Sequence, residues 1–192
     1  MNIQKFTQKS IEAVQDLEKT AYEYGNQEIE QEHLLLNLLK QENSLIAQMV
    51  EKMGIAKDYF QDQVEQAIQA RPKVQGGQPY VGQYLNRTLT MAEDEAKAMG
   101  DEYVSVEHLF LSMLKDPNQA MKTLFRNNGI TREKFLQALS EVRGNQRVTT
   151  DNPEATYDSL SKYGQDLVEK LHQGNWLLRK ERQQVLSEQA LC

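Results

Sequence analysis

Apolar residues recur three and four positions apart along most of the chain, the period of helices with one buried face. Ile11, Val14, Leu17 and Ala21 predict a helix over 7–24, with Thr7 as its N-cap and Gly25 as its stop. A second helix is predicted over 31–41, with Glu30 and Glu32 near its start, where the helix dipole favours negative charge. Leu45, Ile46, Met49 and Val50 predict a third over 44–53, ending at Gly54. Phe60, Val64 and Ile68 predict a fourth over 57–69.

The same pattern then returns. A shift of 75 residues lays Glu32-His33-Leu34-Leu35-Leu36 on Glu107-His108-Leu109-Phe110-Leu111. It also lays Gly25 on Gly100, Gly54-Ile55 on Gly129-Ile130 and Phe60 on Phe135. Residues 6–68 and 81–143 share 14 identities in 63 positions without a gap, so the chain is a tandem duplication. In the second unit Ser105 and Thr131 are the expected N-caps of the second and fourth helices. Two prolines and two glycines within 71–79 predict a break, and residues 69–80 are read as the linker between units. A polar stretch over 144–156 is read as a second linker; helical spacing resumes at Tyr157, Leu160, Tyr163, Leu167 and Leu171. Eight helices in two equal units predict an all-α, pseudo-two-fold fold with a groove where the units meet. A connector ending near Gly174 and a tail over 175–192 would follow.

Composition narrows the classes of function. The formal net charge is −6, and residues 1–70 alone carry it, with six basic and twelve acidic side chains. No stripe of Lys and Arg with interleaved aromatics is present, so a nucleic-acid partner is not expected. No apolar run approaches the roughly 18 residues of a membrane span, and Met1 to Phe6 carry no apolar leader, so no membrane partner is expected. The single cysteine, Cys192, forms no internal disulfide, which fits a reducing, cytoplasmic location.

Catalytic chemistry is equally thin. A phosphate loop needs backbone amides and a lysine in a Gly-x-x-x-x-Gly-Lys-[Ser/Thr] string, and none occurs; Gly76-Gly77 runs into Gln78-Pro79. Three scattered histidines give no metal-ligand spacing, and neither metal nor cofactor is expected. His33 and His108 occupy equivalent positions, as structural histidines bonding a local backbone group would. Glu32 and Glu107 read as first-turn helix acids. No enzymatic activity is expected.

The paired Glu-His-Leu-x-Leu helices, each followed by a Gly-Ile turn, resemble the Clp repeat domain, the N-terminal module of Clp-type AAA+ chaperones. Ser161-Lys162-Tyr163-Gly164-Gln165-Asp166-Leu167 and Lys170-Leu171-His172-Gln173-Gly174 resemble the segment that joins this module to the first ATPase ring in the bacterial ClpB branch. The resemblance covers residues 1–174; Asn175 onward departs from the family, and the reading is a chain that stops before the motor. The resemblance implies a double Clp repeat over 1–144 that weakly binds unfolded or aggregated polypeptide and, where its ATPase ring is present, delivers it there. It further implies a groove between the repeats associated with Thr7, Leu89, Asp101, Glu107 and His108. The residues themselves favour another role for three of these: Thr7 reads as a helix cap, Leu89 as core, and Asp101 as a turn residue after Gly100. A stand-alone interaction protein of the same fold is the alternative.

Overall fold

The computed structural model describes residues 2–155 and 157. Met1–Pro153 form one compact unit and Glu154–Cys192 a second. The connector helix and tail expected beyond Tyr157 lie outside the described residues.

The duplication folds as two sets of helices. The first comprises α1 (Gln8–Gln15), α2 (Leu17–Glu23), α3 (Gln31–Lys40), α4 (Leu45–Lys52) and α5 (Lys57–Gln69). The second comprises α6 (Gln83–Ala98), α7 (Val106–Lys115), α8 (Gln119–Asn127) and α9 (Arg132–Arg143). Predicted caps are in place: the side chains of Thr7 and Thr131 accept the backbone N–H groups of Ser10 and Lys134, and Ser105 is the N-cap of α7; Ser44, not predicted, caps α4 through the Ala47 N–H. Gly25 and Gly100 both turn through positive φ, 73° and 72°, which a side chain resists.

One difference from the predicted helices falls at Asp16. The single helix expected over 7–24 divides there, with ψ at −1°, whereas its counterpart α6 runs uninterrupted. The Thr20 hydroxyl donates to the Asp16 carbonyl at 3.0 Å, but Thr88 and Thr90 make the same back-bond inside the unbroken α6, so that bond does not account for the break. Neither proline nor glycine marks the spot.

α3 and α7 each bury eight of their ten residues, so these two helices are surrounded rather than amphipathic. The remaining helices lay one face against them, and the core is a single cluster running through both repeats. At its second-repeat end Phe110 stacks on Phe135 at 4.5 Å and meets Phe125 edge-on at 5.7 Å.

Two short parallel backbone pairings stitch the repeats together, and the 75-residue offset relates them. In one, β1 (Glu28–Ile29) pairs with β2 (Tyr80–Val81), so that Ile29 lies opposite Val81. In the other, Phe6 pairs with Val104. Adding 75 to Phe6 and Ile29 gives Val81 and Val104. Each repeat therefore lends its leading residues to the turn that precedes the central helix of the other. Gly82 donates its N–H to the Ile29 carbonyl at 2.8 Å, and Thr7 donates to Val104 at 3.0 Å.

The linkers are part of this arrangement. Val74 N–H donates to the Gly25 carbonyl, and Asn26 donates from its side chain to Pro72. Residues 145–153, read from sequence as a plain linker, bind the second repeat in the corresponding way. Val148 is buried, its carbonyl accepts from Glu102 N–H, and Gln8 N–H donates to the Asp151 carbonyl at 2.8 Å.

Candidate functional site

Four of the five predicted site residues surround the turn before α7. His108 is the third residue of that helix, and its Nδ1 accepts the Ser105 N–H at 2.8 Å. The ring therefore carries its proton on Nε2, which donates to Asp101 Oδ2 at 2.7 Å. Arg143, at the end of α9, donates to the other Asp101 oxygen and lies 3.4 Å from Glu107 Oε1. Ser105 Oγ donates to the second Glu107 oxygen. Thr7 adjoins the group through its bond to Val104. All of these side chains are buried. Burial alone would raise the Asp101 carboxyl, but bonds from His108, Arg143 and the Val148 amide outweigh it and hold its pKa below the ordinary value.

The fifth, Leu89, belongs to the apolar core on α6. Thr7 is the N-cap of α1, as its position suggested. Asp101 does follow the Gly100 turn, yet it is a buried ion-pair partner as well.

The first repeat holds the equivalent group in different chemistry. His33 Nδ1 accepts the Glu30 N–H at 2.9 Å, and its Nε2 donates to Asn26 Oδ1 at 2.9 Å. Asn26 stands where the second repeat has Asp101. Glu32, fully buried, pairs with Arg71 at 2.8 Å. Burial foremost, and the Arg71 charge after it, lower the His33 pKa to about 4.

Part of the contact between the repeats is polar. Gln31 donates to the Thr88 hydroxyl and to the Asp116 carbonyl, both at 2.9 Å, and its own Oε1 accepts Asn118 N–H. Glu30 reaches across the seam to accept the Tyr84 N–H at 3.2 Å in the first turn of α6. Burial is the main reason its carboxyl is raised. Sequence reasoning missed Gln31, Arg71, Asn118 and Arg143. Arg71 and Arg143 serve matching carboxylates from positions that are not 75 apart, so a search by offset passes over them.

The paired residues of the two junctions differ in exposure. Val81 of β2 is 48% exposed and its neighbour Tyr80 52%, whereas Phe6, the equivalent of Val81, is 1% exposed. A surface cleft of about 500 Å³ lies elsewhere on the first repeat and is lined by charged and polar residues including Lys40, Glu51, Lys57 and Asp58. Among the described residues no cluster of metal-ligating side chains occurs, and no helix is long and apolar enough to cross a membrane.

A duplicated helical unit with a shared core and a partly polar seam, and with no assembled catalytic group among the described residues, defines a tandem-repeat domain. The family model for the Clp repeat (R) N-terminal domain matches residues 5–128, and the chain belongs to that family. It is 42% identical over 180 residues to the chaperone protein ClpB of Nitratidesulfovibrio vulgaris, which covers 91% of this chain and 21% of that protein. With the chaperone protein ClpB 2 of Nostoc it shares 39% over 175 residues, or 90% of this chain and 20% of that one. The chain thus spans about a fifth of the length of these relatives. Among solved structures, the Hsp104 N-terminal domain of Candida albicans superposes with a TM-score of 0.65 at 20% identity, covering 77% of this chain and 97% of that one. A complex of the ClpV N-domain with a VipB peptide gives 0.58 at 23% identity, covering 72% and 86%. At these identities the solved structures speak for the fold alone.

Proposed function

We propose that this chain is the substrate-docking module of a ClpB-like protein disaggregase. It holds unfolded or aggregated polypeptide weakly in a groove between the repeats and hydrolyses no nucleotide itself. The observation that carries this reading is the exposed apolar strand Tyr80–Val81 beside a polar seam. Such a surface offers apolar contact and a backbone edge without demanding one sequence. Thr7, Leu89, Asp101, Glu107 and His108 are buried, and four of them stand at the Phe6–Val104 junction, so in this reading they hold the repeats in place while the contacting atoms come from Tyr80 and Val81 at the other junction.

Binding is expected to be weak. An apolar patch of about 300 Å² at about 25 cal/mol/Å² is worth about 7–8 kcal/mol gross. Association costs about 4 kcal/mol or more, which leaves an affinity near the millimolar range. Presentation of several copies by an ATPase ring would compound such contacts.

Chemical-shift mapping with a permanently unfolded polypeptide checks the proposal. Shifts should centre on Tyr80 and Val81 and extend to Thr7, Leu89 and Asp101. Perturbations confined to residues beyond 153 would refute the groove. Clear nucleotide binding by calorimetry would sink the statement that the chain lacks the motor. The solved pairing of a Clp-type N-domain with one defined peptide favours a second reading, an interaction module for a specific partner. Binding that discriminates sharply among unfolded polypeptides would select it.

A further inference from the structure

The two junctions are built on the same backbone but carry different residues. Gly82, the N-cap of α6, has φ −68° and ψ 162°; Thr7, the N-cap of α1, has φ −66° and ψ 162°. These angles suit any residue, so the backbone does not ask for glycine at 82. Space does. A Cβ on Gly82 would stand 2.0 Å from Glu30 Oε1 and 2.6 Å from its Cδ, with Glu28 Oε1 at 2.7 Å. The Glu28 side chain is partly exposed and free to swing away. Glu30 is buried and engaged by Gln31 N–H, Tyr84 N–H and the Asn118 amide.

The offset places Ser105 where the first repeat has Glu30. One junction thus sets glycine against a long carboxylate, and the equivalent positions of the other hold Thr7 and the short Ser105. Each arrangement satisfies its helix in its own way. Thr7 caps α1 with its own hydroxyl, through Ser10 N–H. Gly82 has no side chain to offer, and Glu30 of the other repeat supplies the acceptor for α6 through Tyr84 N–H.

We propose that Gly82 opposite Glu30 at one junction, and Thr7 with Ser105 at the equivalent positions of the other, form a matched set of residues that dictates which repeat pairs with which. Pairing of first repeat with first repeat would drive Glu30 against a threonine. Pairing of second with second would set Ser105 beside Gly82 and leave the start of α6 without its acceptor. Only first-with-second pairing satisfies both seams. The partner that fits either repeat's seam is therefore the complementary repeat, in its own chain or in a second copy exchanging halves.

A double-substitution cycle in the full chain tests this, with urea unfolding as the readout. Gly82→Thr alone should lower the folding equilibrium constant by about tenfold or more, through Cβ overlap and displacement of Glu30. Gly82→Thr together with Glu30→Ser rebuilds the other junction's pair, and the same glycine change should then cost less than about threefold. Additivity of the two substitutions within about twofold would overturn the proposal. Should Gly82→Thr alone yield no folded protein, the double variant decides: a folded double supports the matched set, and an unfolded one overturns it.

Discussion

The two buried clusters differ at the residue facing the histidine (Asn26 or Asp101), at the residue before the helix (Glu30 or Ser105) and in where the arginine comes from, and these differences reorganise the charge around each histidine. In the first repeat His33 faces the neutral amide of Asn26, and Glu32 shares its single guanidinium, Arg71, with the half-exposed Glu28. In the second, His108 faces the carboxylate of Asp101, and one guanidinium, Arg143, answers both Asp101 and Glu107. Arg71 keeps contact with solvent, whereas Arg143 is nearly closed off. Two carboxylates in a dry site depend on their cation far more than one carboxylate with an open partner does. Equivalent backbone, then, does not mean equivalent electrostatic stakes.

The largest break in that comparison should come from Arg143→Ala. It leaves Asp101 and Glu107 buried without their cation and should cost about 3–5 kcal/mol in urea unfolding. Arg71→Ala should cost less, about 1–3 kcal/mol, because Glu32 keeps the amide of Asn118 and Arg71 itself stands partly in solvent. Equal losses from the two would erase the distinction.

Acid sharpens it further. The folded protein holds His33 neutral down to about pH 4, while in the unfolded chain its ordinary value is 6.5. Between those values the unfolded state binds the extra proton, so stability is present above pH 6.5 and falls as the pH drops towards 4, by about 3 kcal/mol from this group. Glu30, raised chiefly by burial, works in the opposite sense above its unfolded value of 4.5 and makes the measured slope shallower. Asp101 is lowered, so its share of stability is intact above 3.8 and is lost only below that. The first cluster should thus weaken before the second. Ring titration of His33 by NMR checks the point directly: a midpoint near 6.5 instead of about 4 would remove the basis for the difference.

The smallest effect expected is at the caps. Thr7→Ala removes the acceptor for Ser10 N–H and should cost about 1 kcal/mol. The α6 start should not respond to changes in its own cap hydroxyl, since Gly82 has none.

Much of this architecture was legible in the sequence because it is local. The apolar spacing, the cap residues and the glycines at 25 and 100 each act within one turn of helix, and the 75-residue offset exposes the duplication without any three-dimensional information. The equivalence of His33 and His108 correctly signalled bonds to neighbouring backbone. The rest depends on pairs distant in the chain. Gln31 with Asn118, Arg143 with Asp101, and Phe6 with Val104 leave no periodic trace, because each partner is unexceptional in its own segment. The acids at 32 and 107 read as ordinary first-turn residues; only burial beside an arginine reveals what else they do. The linkers misled for a related reason. Polar and proline-rich composition marks where a helix stops, and says nothing about whether the strand that follows is pinned.

The pinning has a topological result. Gln8 and Asp151 meet through two hydrogen bonds, so the start and finish of the 2–153 unit touch. A path whose ends touch is nearly a closed loop, and the order in which its halves are read becomes a matter of convention. Joining those ends and opening the chain within 71–79 would present the second repeat first and the first repeat second, with each seam still meeting its proper mate.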